Sequence, residues 1–111
     1  MIEIGEPQVM GDARVVVAAD KGSASLYVQV TLARAKDAAP VPRRDVEAFA
    51  FDDAGAPLKP IELLRYDLLL EFRSTAYAHF DFELPQRGRE LAKIEVRYRD
   101  HRALFGIARS G

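Results

Sequence analysis

The chain has 111 residues, 49% apolar and 30% charged, with 16 basic side chains against 17 acidic ones. That length closes one hydrophobic core without metal or disulfide staples, and the composition is that of a folded protein, not a disordered one. A formal net charge of −1 argues against a nucleic-acid or anionic-membrane footprint, and the lack of cysteine excludes disulfides, thiolate metal sites and cysteine nucleophiles.

The opening stretch, "MIEIGEPQVMGD", has neither a basic n-region nor an apolar h-region, so no signal peptide is expected there. No apolar run reaches membrane-spanning length. Cytoplasm is the expected compartment, an excised extracytoplasmic domain being the other option. Arginine outnumbers lysine by 12 to 4, a bias that fits a GC-rich bacterial genome.

The first clear element is the β-branched "ARVVVAA". It is followed by "DKGS", a hairpin-like turn in which Gly22 can take a positive φ. Next, "SLYVQVTLAR" alternates Leu26, Val28, Val30 and Leu32 with Ser25, Tyr27, Gln29 and Thr31, the pattern of a half-buried strand. Residues 35–44 contain Pro40 and Pro42 and read as an exposed loop. "DVEAFAFDDAG" reads as a strand entering a turn at Asp53, Ala54 and Gly55.

The leucine-rich "IELLRYDLLLEFRS" looks helical at first, but helical rows mix Leu64 with Asp67 and Glu71 and leave no apolar stripe. As a strand it gathers Leu64, Tyr66, Leu68, Leu70 and Phe72 on one face, against Arg65, Asp67, Glu71 and Arg73, so a strand is expected. "AYAHFDFELP" then sets Ala78, Phe80, Phe82 and Leu84 against Tyr77, His79, Asp81 and Glu83. After a turn at "PQRGRE", the strand "LAKIEVRYRD" opposes Ile94, Val96 and Tyr98 to Lys93, Glu95, Arg97 and Arg99, and "RALFGIA" ends the set.

Seven to nine short strands with one-sided alternation imply antiparallel sheets that bury their dry faces against each other. The expected fold is all-β, an immunoglobulin-like antiparallel β-sandwich forming a single domain over residues 1–111, with a closed barrel as the alternative. "FDDAGAPL" and the later "FDFELPQRGRELAKIEVRYRD" resemble the later strands of bacterial immunoglobulin-like and fibronectin-type-III-like modules. There, an Asp-x-x-Gly turn follows a central strand, and a Leu-Pro-x-x-Gly corner leads into a strand ending in an aromatic residue. The resemblance covers about half of the chain. It implies a fold and carries over no functional residue.

His79 and Asp81 are the first candidates for chemistry. Residues two apart on a strand stand roughly 6.6–6.8 Å apart, so both can reach one metal ion, whereas Glu83, about 13 Å from His79, does not readily join them. A third ligand must come from the preceding strand, where Asp67 and Glu71 share the polar parity. Keeping both apolar faces together there requires an odd number of loop residues. Arg65 would instead make ordinary cross-strand ion pairs. A solvated charged face is the expectation, with no metal and no cofactor.

Carboxylate pairs such as Asp81 with Glu83 or Asp52 with Asp53 suggest no cleft, and Asp52 and Asp53 are better explained as turn formers. Ser23, Ser25, Ser74 and Ser110 carry no nucleophile elbow, so no enzyme is expected. Arg97 and Arg99, with Lys93 on the same parity, suggest a basic stripe for an acidic partner. Asp100, Glu95 and Glu90 interrupt it, which favours a solvated face.

"VEAFAF" is apolar on both sides, with Val46, Ala48 and Ala50 on one and Phe49 and Phe51 on the other. A covered central strand explains this. The other reading is a small-residue outer face of Val46, Ala48 and Ala50 that packs on a second copy or another protein. "ALFGIA" has the same two-sided character and is expected in the same sheet. The function expected from sequence is therefore a protein-interaction or structural module without catalytic activity. Its partner would be another protein or a second copy, not nucleic acid or membrane. The alternative is a ligand- or metal-binding domain centred on His79 and Asp81, accessory to an enzyme.

Overall fold

The computed structural model describes residues 2–61, 69–72 and 74–107, and for 69–72 the backbone. Among them are nine strands: β1 (Ile2–Glu3), β2 (Gln8–Met10), β3 (Ala13–Lys21), β4 (Leu26–Ala33), β5 (Val46–Asp52), β6 (Leu69–Phe72), β7 (Thr75–Phe82), β8 (Leu91–Tyr98) and β9 (His101–Gly106). A single 3-10 turn, Arg43–Asp45, precedes β5, and no α-helix occurs among the described residues. No described helix is therefore long and apolar enough to cross a membrane.

Every pairing is antiparallel, and the strands form two sheets. The larger runs β1-β3-β4-β7-β6, with β2 also on β3, and the smaller runs β5-β8-β9. Their inner faces meet in one core: Val15 and Val17 of β3; Leu26, Val28, Val30 and Leu32 of β4; Ala76, Ala78 and Phe82 of β7; Ile94, Val96 and Tyr98 of β8; and Phe105 of β9. The protein is an all-β sandwich, as the alternation predicts. Phe80 and Leu84 pack against this core from its margin, half-buried.

Five local expectations are corrected. Val46, Ala48 and Ala50 point into the core, and Phe49 and Phe51 carry the outer face of β5. β5 is also an edge strand of its sheet, not a central one. Small inward residues fit because the neighbouring β8 supplies bulk through Ile94, Val96 and Tyr98, all fully buried. Arg99 does not extend the β8 stripe, because it sits in the β8–β9 turn with φ 54°.

The β6–β7 hairpin pairs Phe72 with Thr75 and Leu70 with Tyr77, leaving an even two-residue loop. Register therefore places positions 70 and 72 with the outward residues of β7, and position 71 with buried Ala76. The odd loop that a shared apolar parity requires is therefore not formed, and Leu63, Leu64, Arg65, Tyr66, Asp67, Leu68 and Arg73 lie outside the described residues. The β3–β4 hairpin forms as expected, closed by the Gly22 N–H donating to the Ser25 carbonyl at 2.9 Å, but without a positive φ at Gly22.

Two devices hold the sheets together at their margins. Residues 57–61 run from one sheet to the other: the Leu58 N–H bonds the Ala50 carbonyl on β5 at 2.8 Å, and the Ile61 N–H bonds the Asp81 carbonyl on β7 at 2.9 Å. At the opposite margin β1 and β2 are separated by a kink in which Ile4 turns into the core. Gly5 at φ 68° passes so close to β9 that an added Cβ would lie 3.3 Å from the Gly106 carbonyl oxygen. A broken, inward-turned edge strand of this kind resists pairing with foreign strands.

The β2–β3 turn is built on Gly11 at φ 61°, where an added Cβ would lie 2.8 Å from Nε2 of His101. Because His101 is exposed, its ring can swing aside, and the left-handed backbone dominates the cost. Gly11→Ala is expected to lower stability by about 1–2 kcal/mol. Chemical denaturation should show this as a lower midpoint with an unchanged m-value.

Candidate functional site

The outward side chains of the larger sheet form a grid, because β3, β4 and β7 pair in continuous register. Across these strands the rows read Asp20–Tyr27–Asp81, Ala18–Gln29–His79 and Val16–Thr31–Tyr77. All of these except Asp20 are half-buried by their neighbours. Alternation alone puts them there, since Val28, Val30, Ala76 and Ala78 take the inner positions.

Tyr27 and His79 are diagonal neighbours on this grid and engage each other in two ways. The Tyr27 hydroxyl and His79 Nδ1 are hydrogen-bonded. The two rings also stack, with centroids 5.3 Å apart and planes 25° from parallel. Burial lowers the pKa of His79; Asp81 opposes this and Arg43 reinforces it. Burial, followed by Asp81, raises the pKa of Tyr27. Around neutral pH these shifts favour a neutral imidazole and a protonated phenol.

The sign of the histidine shift makes a testable statement. A histidine whose folded pKa is lowered binds fewer protons folded than unfolded once pH drops below about 6.5. Its contribution to stability is complete above that value and is lost as pH falls. Wild type should therefore lose more melting temperature than His79→Gln between pH 7 and pH 5. Equal losses in the two proteins would contradict this.

As a metal site the face is incomplete among the described residues, where no group of three His, Cys, Asp or Glu side chains comes together. Gln29 stands opposite His79 and Tyr27 opposite Asp81. Register sets Glu71 against Ala76, away from His79, and Asp67 lies outside the described residues.

The smaller sheet presents a different outer face, with rows Glu47–Arg97–Arg102, Phe49–Glu95–Leu104 and Phe51–Lys93–Gly106. Here the charges satisfy one another. Glu95, only 9% exposed, takes Arg97 at 2.9 Å and Arg102 at 3.7 Å. The Arg97 guanidinium also lies over the Phe49 ring at 4.7 Å, and Lys93 over Phe51 at 5.3 Å. These cations cap the outward rings and explain how phenylalanines sit on a solvent face.

Arg99 has become a clamp between turns. Its backbone N–H donates to the Asp45 carbonyl at 2.9 Å, and its guanidinium reaches the Asp45 carboxylate at 3.3 Å and Asp12 at 3.5 Å. Asp12 also accepts the hydroxyl of buried Tyr98 at 2.7 Å. The open depression beside it is lined by Arg44, Asp45, Glu47, Arg97, Arg99 and Asp100, a balanced set of charges. The expected basic stripe is thus divided: Lys93 covers the Phe51 ring, Arg97 pairs with Glu95, and Arg99 forms a structural clamp.

The sequence reading singled out His79 and Asp81 but gave no role to Tyr27, Gln29, Thr31 and Tyr77, which complete the grid. The signal for the first three was present in the polar parity of "SLYVQVTLAR", which contains a tyrosine and no charge. No family model, curated protein or solved structure matches the chain at a significant level.

Proposed function

We propose that the chain is a protein-interaction module of immunoglobulin-like type, without catalytic activity, that binds another polypeptide through the outer face of its larger sheet. The strand order supports the immunoglobulin-like part. Constant-type immunoglobulin domains order their seven strands A-B-E-D and C-F-G. Here β3-β4-β7-β6 and β5-β8-β9 follow that order, with β1 and β2 added at one edge. A cytoplasmic setting goes with this reading, since a cysteine-free chain needs no oxidising compartment to fold.

Charge depletion is the single observation that carries the functional part. In a chain with 30% charged residues, the nine outward positions of these rows, Val16, Ala18, Asp20, Tyr27, Gln29, Thr31, Tyr77, His79 and Asp81, hold two formal charges, those of Asp20 and Asp81, and no basic side chain other than the histidine. The outer face of the smaller sheet instead carries Glu47, Lys93, Glu95, Arg97 and Arg102. Interface cores differ from ordinary surface in the same direction, poor in charge and enriched in tyrosine. Tyr27 is also pre-ordered by its stacked and hydrogen-bonded histidine, which lowers the entropy lost on docking.

The test places a photo-crosslinking residue at position 29 in one version of the chain and at position 47 in another, and irradiates cells that make them. A discrete protein adduct is expected from position 29, lost when Tyr77→Arg is added, with none from position 47. No adduct from position 29, or the same adducts from both positions, would overturn the proposal.

A further inference from the structure

We infer that the occupant of this face is a second copy of the chain, docked sheet to sheet about a two-fold axis. The inference rests on the reading of the face as a protein-docking surface. Area separates the two outer faces. The larger sheet is five strands wide and its paired rows are about seven residues long, so at about 4.8 Å per strand and about 3.3 Å per residue it offers roughly 550 Å². Two copies would bury roughly 1,100 Å², above the about 1,000 Å² expected of a specific contact. The three strands of the smaller sheet offer roughly 320 Å² per copy, and the roughly 650 Å² total falls among incidental contacts.

Hydrogen-bonding complementarity favours a copy of the same chain over a foreign partner. The ionisable pair at the centre, His79 and Asp81, lies two residues apart on β7. A two-fold axis across β7 at Phe80 sets His79 of one copy over Asp81 of the other, and the reverse, which is the reciprocity an isologous interface requires. The same operation lays the row Ala18–Gln29–His79 over the row Asp20–Tyr27–Asp81, so Asp81 meets the imidazole, Asp20 meets the methyl group of Ala18, and the Gln29 amide meets Tyr27. Ala18 and Val16 are short enough to let the sheets approach to about 10 Å.

Sedimentation velocity on the full chain from 1 to 200 µM tests this, with circular dichroism confirming that each variant is folded. Wild type is expected to move from the 12.4 kDa monomer towards twice that mass. Gln29→Arg should weaken association at least tenfold, and Leu104→Arg on the smaller sheet should leave it unchanged. His79→Glu should weaken it, and His79→Glu combined with Asp81→Lys should restore it, because the reciprocal pairs are re-formed with new charges. Rescue by the double variant supports the two-fold register even if Gln29→Arg misfolds. A wild type that stays monomeric throughout overturns the second copy, as does a dimer broken by Leu104→Arg and untouched by Gln29→Arg. A monomer that still yields the position-29 adduct with a different protein overturns the second copy alone. A monomer without that adduct overturns the docking face as well.

Discussion

Phe82→Ala is expected to cost about 3–5 kcal/mol of folding stability, the usual range for deleting a buried aromatic side chain. Phe82 is 1% exposed, stands opposite Leu26 on β4, and is bridged on its other side by Pro60. The inner face of β7 is otherwise built from Ala76, Ala78 and the half-buried Phe80, so Phe82 is its one fully buried large side chain. Backbone on both sides of the ring is fixed, by β4 and by the strap of residues 57–61, so the cavity collapses poorly. Against a total stability of about 5–15 kcal/mol, that loss should lower the melting temperature by on the order of 15 °C. Phe82→Leu keeps most of the volume and should cost about 1–2 kcal/mol. If the alanine variant loses less than about 1 kcal/mol by denaturant titration, this end of the sandwich is softer than its geometry implies.

Asp52→Ala is expected to cost about 2–3 kcal/mol, with Asp52→Asn recovering most of it. One carboxylate oxygen of Asp52 accepts the N–H groups of Ala54 at 2.9 Å and Ala56 at 2.8 Å. Its backbone makes two further bonds within the same turn, its N–H to the Ala56 carbonyl at 2.9 Å and its carbonyl from the Gly55 N–H at 3.0 Å. The turn sits where the β5–β8 register shifts between Phe51 and Asp52, and Gly55 takes the φ of 83° that closes it. An asparagine oxygen can accept the same two donors, and alanine leaves both to water. Equal losses for the two variants would mean that charge rather than hydrogen-bond acceptance holds the turn.

The layers of the sandwich were legible because their parity was unambiguous. Leu26, Val28, Val30 and Leu32 alternate with polar residues, as do Ile94, Val96 and Tyr98, and all seven are buried. β5 failed this test because both of its parities are apolar. Hydrophobicity alone favours phenylalanine inside, and what reverses it is long-range: the bulk of β8 within and the cations of β8 over the rings. β1 and β2 are too short to show any period and take their conformation from β3.

For the site, alternation placed His79 and Asp81 outward correctly. It pointed to the preceding strand for their neighbours, whereas the strand that brings Tyr27 and Gln29 against them is β4, remote in sequence. Local periodicity sets which face a side chain takes and leaves open which strand lies beside it. Arg99 was misplaced for a related reason, because a left-handed turn residue breaks the parity that its strand suggests.

The two pairings that close the sheets, β4 with β7 and β5 with β8, overlap along the chain. The larger sheet has all its strands once β7 is made, whereas the smaller one has only β5 until β8 follows. During synthesis, β5 must wait for the roughly 40 residues from Asp52 to Leu91 before β8 arrives, which at about 5–20 residues per second is a delay of about 2–8 s. For that interval the nascent chain carries β5 as an unpaired apolar strand, while β4 is already paired with β3 and gains β7 before β8 emerges.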